Sequence, residues 1–171
     1  DDITDPRFQG TYRGEDFSLL PDSGDPQMLF LANNISKMKQ DTPLGSRIVE
    51  VHNGSSLFTG KAGQGPSNLR QYIIEQDLLE AIVALPEKMF YNTGIGTYLW
   101  VLSNKKSAQR KGKVQLIDAT TMKAPLRKNL GEKNGEVNAA LRKKILDLYL
   151  AFDKADPEYS CLLYPSDAAD E

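Results

Sequence analysis

The sequence predicts an α/β domain whose sheet mixes parallel and antiparallel strands. Its 171 residues suit one ordinary domain, and its content of 40% hydrophobic and 26% charged residues is typical of a globular protein. Helix-like and strand-like patterns follow one another in the order α-β-α-β-β-β-α, which favours helices packed on a sheet. The three consecutive strands late in this order predict antiparallel pairing at one side of the sheet.

The first predicted elements are a helix and a strand. Residues 1–25 show no regular period. Apolar residues recur at helical spacing over residues 26–40, and Pro26 suits the first turn of that helix. The β-branched run at residues 46–53 predicts a strand, and a Gly-rich turn follows it.

A second helix and three strands come next. Ser67 is the expected N-cap of a helix over residues 67–77. Residues 78–86 form a nearly continuous apolar run that ends at a proline, which is typical of a strand buried on both faces. Two further strands are predicted over residues 97–104 and 113–120, with a basic turn between them.

The chain ends in a helix and an acidic tail. An amphipathic helix is predicted over residues 134–152. Residues 156–171 lose all periodicity and carry no basic residue. We therefore expect this tail to be non-native sequence or disordered, and it is excluded from the functional argument.

Charge is unevenly distributed although the net charge is −2. Residues 1–85 carry 7 basic and 12 acidic residues, residues 86–155 carry 14 and 6, and residues 156–171 carry 0 and 5. The basic block would suit a polyanion such as nucleic acid, because lysine and arginine displace counterions from phosphates. A solvated face of helices and loops explains the charge equally well.

The rare residues limit the possible chemistry. One cysteine, Cys161, allows no internal disulfide and favours a reducing cytoplasm. One histidine, His52, excludes a His-rich metal centre, and a structural role for it is favoured over catalysis. Gly60, Gly63 and Gly65 spell G-x-x-G-x-G, which matches neither the dinucleotide nor the P-loop motif, so a plain strand-to-helix turn is favoured over phosphate binding.

The segment at residues 84–104 has the most distinctive composition. After the predicted buried strand come an aromatic pair and two polar residues, namely Phe90, Tyr91, Asn92 and Thr93. Exposed rings beside small polar groups at the end of a sheet would suit a planar base. The residues alone favour another role, in which Phe90 and Tyr91 fill the core of an irregular connection.

Four stretches of the chain show a family resemblance. They are FLANNISKMK, GSRIVEVHNGSSLFTGKAGQGPSNLRQYIIEQDLLEAIVALPEKMFYNTGIGTYLWVLSNKK, RKGKVQLIDAT and LRKNLGEKNGEV. They resemble the modification subunit of type I restriction–modification systems, an adenine-specific DNA methyltransferase, and the match runs from about residue 16 to 152. The resemblance implies a partial Rossmann-like S-adenosylmethionine-dependent methyltransferase sheet, built from the late strands of that fold.

The resemblance implies methyl transfer from S-adenosylmethionine to the exocyclic nitrogen of a flipped adenine. The family's cofactor glycine motif and its Asn-Pro-Pro-Phe motif lie N-terminal to the matched region, and neither occurs here. We therefore expect residues 1–133 to be the C-terminal half of the catalytic domain and residues 134–155 to lead into a C-terminal helical region. No catalytic, cofactor-binding or metal-binding residue is expected in the chain, which should be inactive alone.

The resemblance also implies a base-binding cleft. Phe90 would stack on the extruded adenine. The other residues expected to line the cleft are Tyr91, Asn92, Thr93, His52 and Asn53.

Phosphate contacts and partners follow from the same resemblance. The residues expected to contact DNA phosphates are Arg70, Lys105, Lys106, Arg110 and Lys111. The expected partners are double-stranded DNA and the DNA-specificity and restriction subunits of a type I complex, with no membrane or metal. The alternative is a non-enzymatic module on which a DNA-specificity subunit docks.

Overall fold

The computed structural model describes residues 5–12, 15–19 and 26–165. Within these ranges there are three α-helices and nine strands. The helices are α1 (Pro26–Ser36), α2 (Gly65–Glu75) and α3 (Ala139–Ala151). The strands are β1 (Gln9–Tyr12), β2 (Glu15–Ser18), β3 (Arg47–Asn53), β4 (Leu79–Ala84), β5 (Thr97–Ser103), β6 (Val114–Asp118), β7 (Ala124–Leu130), β8 (Lys133–Glu136) and β9 (Ser160–Leu163).

A five-stranded mixed sheet organises the molecule, in the order β3-β5-β4-β6-β9. Strands β4 and β6 are parallel, whereas β5 lies antiparallel between β3 and β4. Strands β3, β4 and β6 therefore end at one edge, at Asn53, Ala84 and Asp118, where β5 begins at Thr97. We call this the carboxyl edge and the opposite one the amino edge. The predicted α/β fold with a mixed sheet is confirmed.

Helices cover the two faces of the sheet. Helices α1 and α2 form the larger core on one face, where Met28, Leu69 and Trp100 are almost completely buried. Helix α3 packs on the other face through Leu148, against Val83 and other residues of β4 and β6. Strand β4 faces both cores, as its continuous apolar run predicted.

The first residues of two helices differ from those predicted. Helix α2 starts at Gly65, because Pro66 suits the first turn, so Ser67 lies inside the helix and is not its N-cap. Helix α3 starts at Ala139, because the side chain of Asn138 accepts a hydrogen bond from the backbone N–H of Leu141 (3.0 Å). The residues just before it belong to β8.

Strands also occur where none was predicted. Strands β1 and β2 pair as a hairpin in the region expected to be irregular, and β7 pairs with β8 in a second hairpin. In the acidic tail, β9 pairs with β6, and the Ser160 hydroxyl accepts a hydrogen bond from Gln115 (2.9 Å). Disorder was therefore the wrong expectation for Ser160–Leu163, while residues 166–171 lie outside the described residues.

Candidate nucleic-acid site

The aromatic pair lies on the loop from residue 85 to 96, at the carboxyl edge. Phe90 is 41% exposed and Tyr91 62% exposed, so neither ring fills the core. A β-bridge joins Phe90 to Thr93, and the Thr93 hydroxyl accepts a hydrogen bond from the backbone N–H of Ile95 (3.3 Å). The structure thus presents two rings to solvent on a folded turn, with exposed Asn92 between them and Thr93.

The β7–β8 hairpin supports this aromatic loop. The backbone N–H of Glu132 donates to the carbonyl of Tyr91 (2.8 Å), and that of Asn134 donates to the carbonyl of Lys88 (3.2 Å). The ammonium of Lys123 adds a hydrogen bond to the carbonyl of Glu87 (3.2 Å). Sequence reasoning missed the hairpin, although a glycine between two short segments is a turn signal.

Gly131 makes the close approach of hairpin and loop possible. Its φ is +61°, and a Cβ atom at this position would come within 2.5 Å of the Tyr91 carbonyl oxygen. Any other residue would meet both the left-handed conformation and a backbone contact shorter than van der Waals distance. The position of the aromatic loop therefore depends on this glycine.

His52 does not line an open cleft, which corrects the sequence expectation. It is 2% exposed, and its ring stacks on Trp100 with 5.0 Å between ring centroids. Its Nε2 lies 2.9 Å from one carboxylate oxygen of Glu50, and the other carboxylate oxygen accepts a hydrogen bond from Asn34 of α1. Strand alternation turns His52 toward the face that α1 covers, so its role is structural.

Asn53 shapes the loop that follows β3. Its side-chain oxygen accepts hydrogen bonds from the Gln27 amide (2.8 Å) and from the backbone N–H of Ser55 (3.0 Å). It thereby caps the short 3₁₀ helix Gly54–Leu57. Asn53 lies at the carboxyl edge with its side-chain oxygen already hydrogen-bonded, and its expected place in the base-binding cleft stays a prediction.

Arg70 is held by the same loop, and its expected contact with DNA phosphates stays a prediction. Its two terminal nitrogens donate to the carbonyls of Ser56 (3.0 Å) and Thr59 (2.6 Å). These bonds hold the partly exposed guanidinium against the protein, so Arg70 stabilises the turn between β3 and α2.

The basic loop between β5 and β6 lies at the amino edge, away from the aromatic loop. Six residue steps along β5 separate the two edges by about 20 Å. Lys106 is only 9% exposed, and its ammonium bonds the Asp77 carboxylate (2.5 Å) and the Lys113 carbonyl (2.9 Å). Its expected phosphate contact is therefore wrong, because the fold already pairs this charge.

Arg110, in the same loop, is also a structural cation. It is 5% exposed, and its guanidinium lies over the rings of Tyr149 (4.0 Å) and Phe152 (4.4 Å). It donates to the Gln115 side chain (3.1 Å). The phosphate assignment of Arg110 is corrected as well. Lys105 and Lys111 are exposed, so their part of the expectation remains untested.

A cavity of about 530 Å³ opens beside the end of β6. Leu57, Ala84, Tyr98 and Asp118 contribute to its lining. The pKa of Asp118 is lowered because its carboxylate accepts hydrogen bonds from the hydroxyl (2.6 Å) and backbone N–H (2.9 Å) of Thr120. The volume of the cavity lies in the range of small-molecule binding sites. Sequence reasoning missed it, because the lining comes from segments far apart in the chain.

Two further properties concern the described residues alone. No helix among them is long and apolar enough to cross a membrane. No group of three or more His, Cys, Asp or Glu side chains in the same part of the chain could hold a metal ion.

Comparison with known proteins identifies a family model that matches most of the chain and relatives that match part of it. Residues 3–169 match the model of the family described as N-6 DNA methylase. Relatives include the type I restriction enzyme MjaVII methylase subunit of Methanocaldococcus jannaschii (38% identity, 58% of this chain, 16% of that protein) and the HindI methylase subunit of Haemophilus influenzae (36% identity, 58% and 20%). This chain thus covers about a fifth or less of these relatives.

Solved structures show the same fold. The type I restriction–modification methyltransferase subunit from Streptococcus thermophilus superimposes with a TM-score of 0.71 over 90% of this chain and 29% of that one, at 22% identity. A modification subunit of a type I restriction enzyme from Vibrio vulnificus gives 0.59 over 81% and 27%, at 17% identity.

Proposed function

Because the chain belongs to the N-6 DNA methylase family, we propose that it forms the target-base side of a type I restriction enzyme methylase subunit. The whole protein would be a site-specific adenine methyltransferase that acts on double-stranded DNA in the cytoplasm. Its proposed partners are a DNA-specificity subunit and a restriction subunit. Residues 1–133 would belong to the catalytic domain, and residues 134–155 would lead into a helical region.

The observation that carries the proposal is the exposed aromatic loop at the carboxyl edge. Open α/β sheets bind their ligands beyond the carboxyl ends of the strands. An enzyme that modifies a base must take it out of the stack and hold it against an apolar face. Phe90 supplies such a face, and Asn92 and Thr93 supply polar groups next to it.

The residues of this chain do not fit S-adenosylmethionine, the proposed methyl donor of the whole protein. A nucleotide-type site takes a glycine loop directly after a strand and an acidic residue after the next one. Here the 3₁₀ helix Gly54–Leu57 separates β3 from the Gly-rich turn, and β4 ends at Ala84. We therefore expect calorimetric titration of the 171-residue chain to show no micromolar binding of S-adenosylmethionine.

The test of the base-binding role is a series of substitutions at Phe90 in the full-length methylase. Stacking of a base on a ring is worth about 1–3 kcal/mol, so Phe90→Ala should lower kcat/KM by roughly one to two decades. Phe90→Trp and Phe90→Tyr should retain most activity, because each keeps a large ring. Phe30, 63% exposed on α1, offers the matched control, and Phe30→Ala should leave kcat/KM unchanged.

The same variants show what would contradict the proposal. If Phe90→Ala and Phe90→Trp both lowered the unfolding midpoint and activity merely followed the folded fraction, Phe90 would be a packing residue. If Phe90→Ala left both midpoint and kcat/KM unchanged, the target base would be bound elsewhere.

A docking module for a DNA-specificity subunit is the second candidate, and an apolar groove favours it. The groove, of about 460 Å³, lies between α3 and the outer part of the sheet. Val49 is 58% exposed in it and Leu146 51% exposed. If docking is the only role, Val49→Asp and Leu146→Asp should abolish assembly of the complex, whereas Phe90→Ala should have no effect.

A further inference from the structure

The β7–β8 hairpin carries two exposed cations that the fold does not use. Arg127 and Lys128 are exposed, and neither makes a hydrogen bond or ion pair within the described part of the chain. The strand register shifts between the pairs Pro125–Gly135 and Leu130–Lys133, so the residues between them bulge out of the ladder. Residues 127–130 are consequently exposed one after another.

The hairpin and the aromatic loop form one structural unit. Among the described strands, β7 and β8 pair only with each other, and an isolated two-stranded hairpin is marginally stable in water. Backbone hydrogen bonds to Tyr91 and Lys88, and the close contact at Gly131, fix it to the loop. The hairpin that carries the two cations is therefore held next to the loop that carries Phe90 and Tyr91.

The buried cations of the amino edge show what a structural role looks like in this protein. Lys106 is paired with Asp77, and Arg110 lies between two rings. The acidic residues of the hairpin unit are also exposed, and among the described residues they form no salt bridge with Arg127 or Lys128; they are Glu87, Glu132 and Glu136. The charges of Arg127 and Lys128 are thus available to a partner.

We propose that this hairpin binds the phosphate backbone of DNA beside the target adenine, with Arg127 and Lys128 as the phosphate-binding residues. The inference rests on the proposed function and adds a second contact surface to the same site. Arginine and lysine side chains bind backbone phosphates and thereby position a protein on a duplex without reading its sequence. An aromatic face next to such cations then receives the extruded base.

The experiment uses the full-length methylase that carries this chain, assembled with its specificity subunit, and a labelled duplex with its methylation site. The variant Arg127→Ala/Lys128→Ala is compared with Lys37→Ala/Lys39→Ala, which removes two exposed lysines after α1, toward the amino edge. Each phosphate contact contributes roughly 0.9 to the slope of log K against log salt, so the hairpin variant should lose about 1.8. The control should keep the wild-type slope.

Further measurements separate the possible outcomes. The value of kcat at saturating DNA should stay within about two-fold of wild type, because the contact is the same in ground and transition states. The charge-preserving variant Arg127→Lys/Lys128→Arg should keep the wild-type slope of log K against log salt. If this variant also had a reduced slope, the two residues would have a role in folding and the inference would be overturned. If the enzyme is active and Arg127→Ala/Lys128→Ala leaves the salt slope unchanged, the proposed phosphate contact of the hairpin is wrong, and the proposed function still stands. A wild-type complex without methylation or salt-dependent binding would overturn the proposed function too.

Discussion

The two edges of the sheet carry similar residues and use them in opposite ways. At the carboxyl edge, aromatic and basic side chains such as Phe90 and Arg127 face solvent. At the amino edge, Lys106 and Arg110 are buried, and their charges hold the fold together. A basic stretch in the sequence therefore contains two kinds of cation, and only burial and pairing distinguish a structural cation from one available to a ligand.

The largest expected effect is at Arg110. Arg110→Ala removes a desolvated stack on two rings and leaves the Gln115 side-chain oxygen without its donor, so unfolding should become easier by about 3 kcal/mol or more. Lys111→Ala, next in the chain and exposed, should change stability by less than about 0.5 kcal/mol. Urea unfolding of the 171-residue chain measures both, and equal effects would remove the distinction between the two cations.

The second largest effect on stability is expected at Lys106. Lys106→Met leaves the Asp77 carboxylate and the Lys113 carbonyl without their donor, and we expect a loss of about 2 kcal/mol. Lys105→Met should be nearly neutral, because Lys105 is exposed. Thermal unfolding of the two variants provides the comparison. A neutral Lys106→Met would show that this pair contributes nothing to stability.

Two glycines extend the comparison to the backbone. Gly131 and Gly112 both have left-handed φ values, +61° and +68°, so alanine costs about 1–2 kcal/mol at either position. At Gly112, in the amino-edge loop, a Cβ would meet no atom within 4 Å, whereas at Gly131 it would collide with the Tyr91 carbonyl. Both substitutions should therefore lower stability, but only Gly131→Ala should lower the methylation activity of the full-length enzyme. If both variants kept full activity, the hairpin would not position the aromatic loop.

The smallest expected effects are on the pH dependence of stability, and Asp118 and Tyr149 change it in opposite directions. The lowered pKa of Asp118 means that its contribution to stability is complete above its ordinary value of 3.8 and is lost as pH falls through the folded-state value. Burial and the Glu80 carboxylate raise the pKa of Tyr149, so its contribution is complete below pH 10 and is lost as pH rises through the folded-state value. Unfolding followed against pH should show a weaker acid slope in Thr120→Val and a weaker alkaline slope in Tyr149→Phe.

The sequence was informative about the fold where the local pattern and the tertiary environment agree. Strands β4, β5 and β6 were recognised because they are largely apolar, and β3 was recognised from its β-branched residues. Strand β8 was assigned to the last predicted helix, because Lys133–Glu136 contains no β-branched residue and helical spacing continues behind it. Local sequence does not reveal that a hairpin there forms hydrogen bonds with the aromatic loop.

The location of the candidate site could be predicted from the sequence better than the residues that form it. The loop of Phe90 follows a strand whose end was visible, and its position at the carboxyl edge follows from that. Lys105 and Lys106 are neighbours of one residue type, yet only Lys106 meets Asp77, which is 29 residues away in sequence. Such partners are set by the tertiary fold, so sequence alone could not separate the two lysines.

The antiparallel position of β5 between β3 and β4 has a consequence for motion. All seven of its residues have register partners on β3, and β4 pairs with its other side. Its amides should be among the slowest in the molecule to exchange with deuterated solvent, since opening them requires separation of two strand pairs at once. The loop from residue 85 to 96 begins at the end of β4 and ends at the first residue of β5. The sheet therefore anchors this loop at both ends, in addition to the hairpin contacts at Lys88 and Tyr91. We expect the rate of amide hydrogen exchange to change sharply at Thr97.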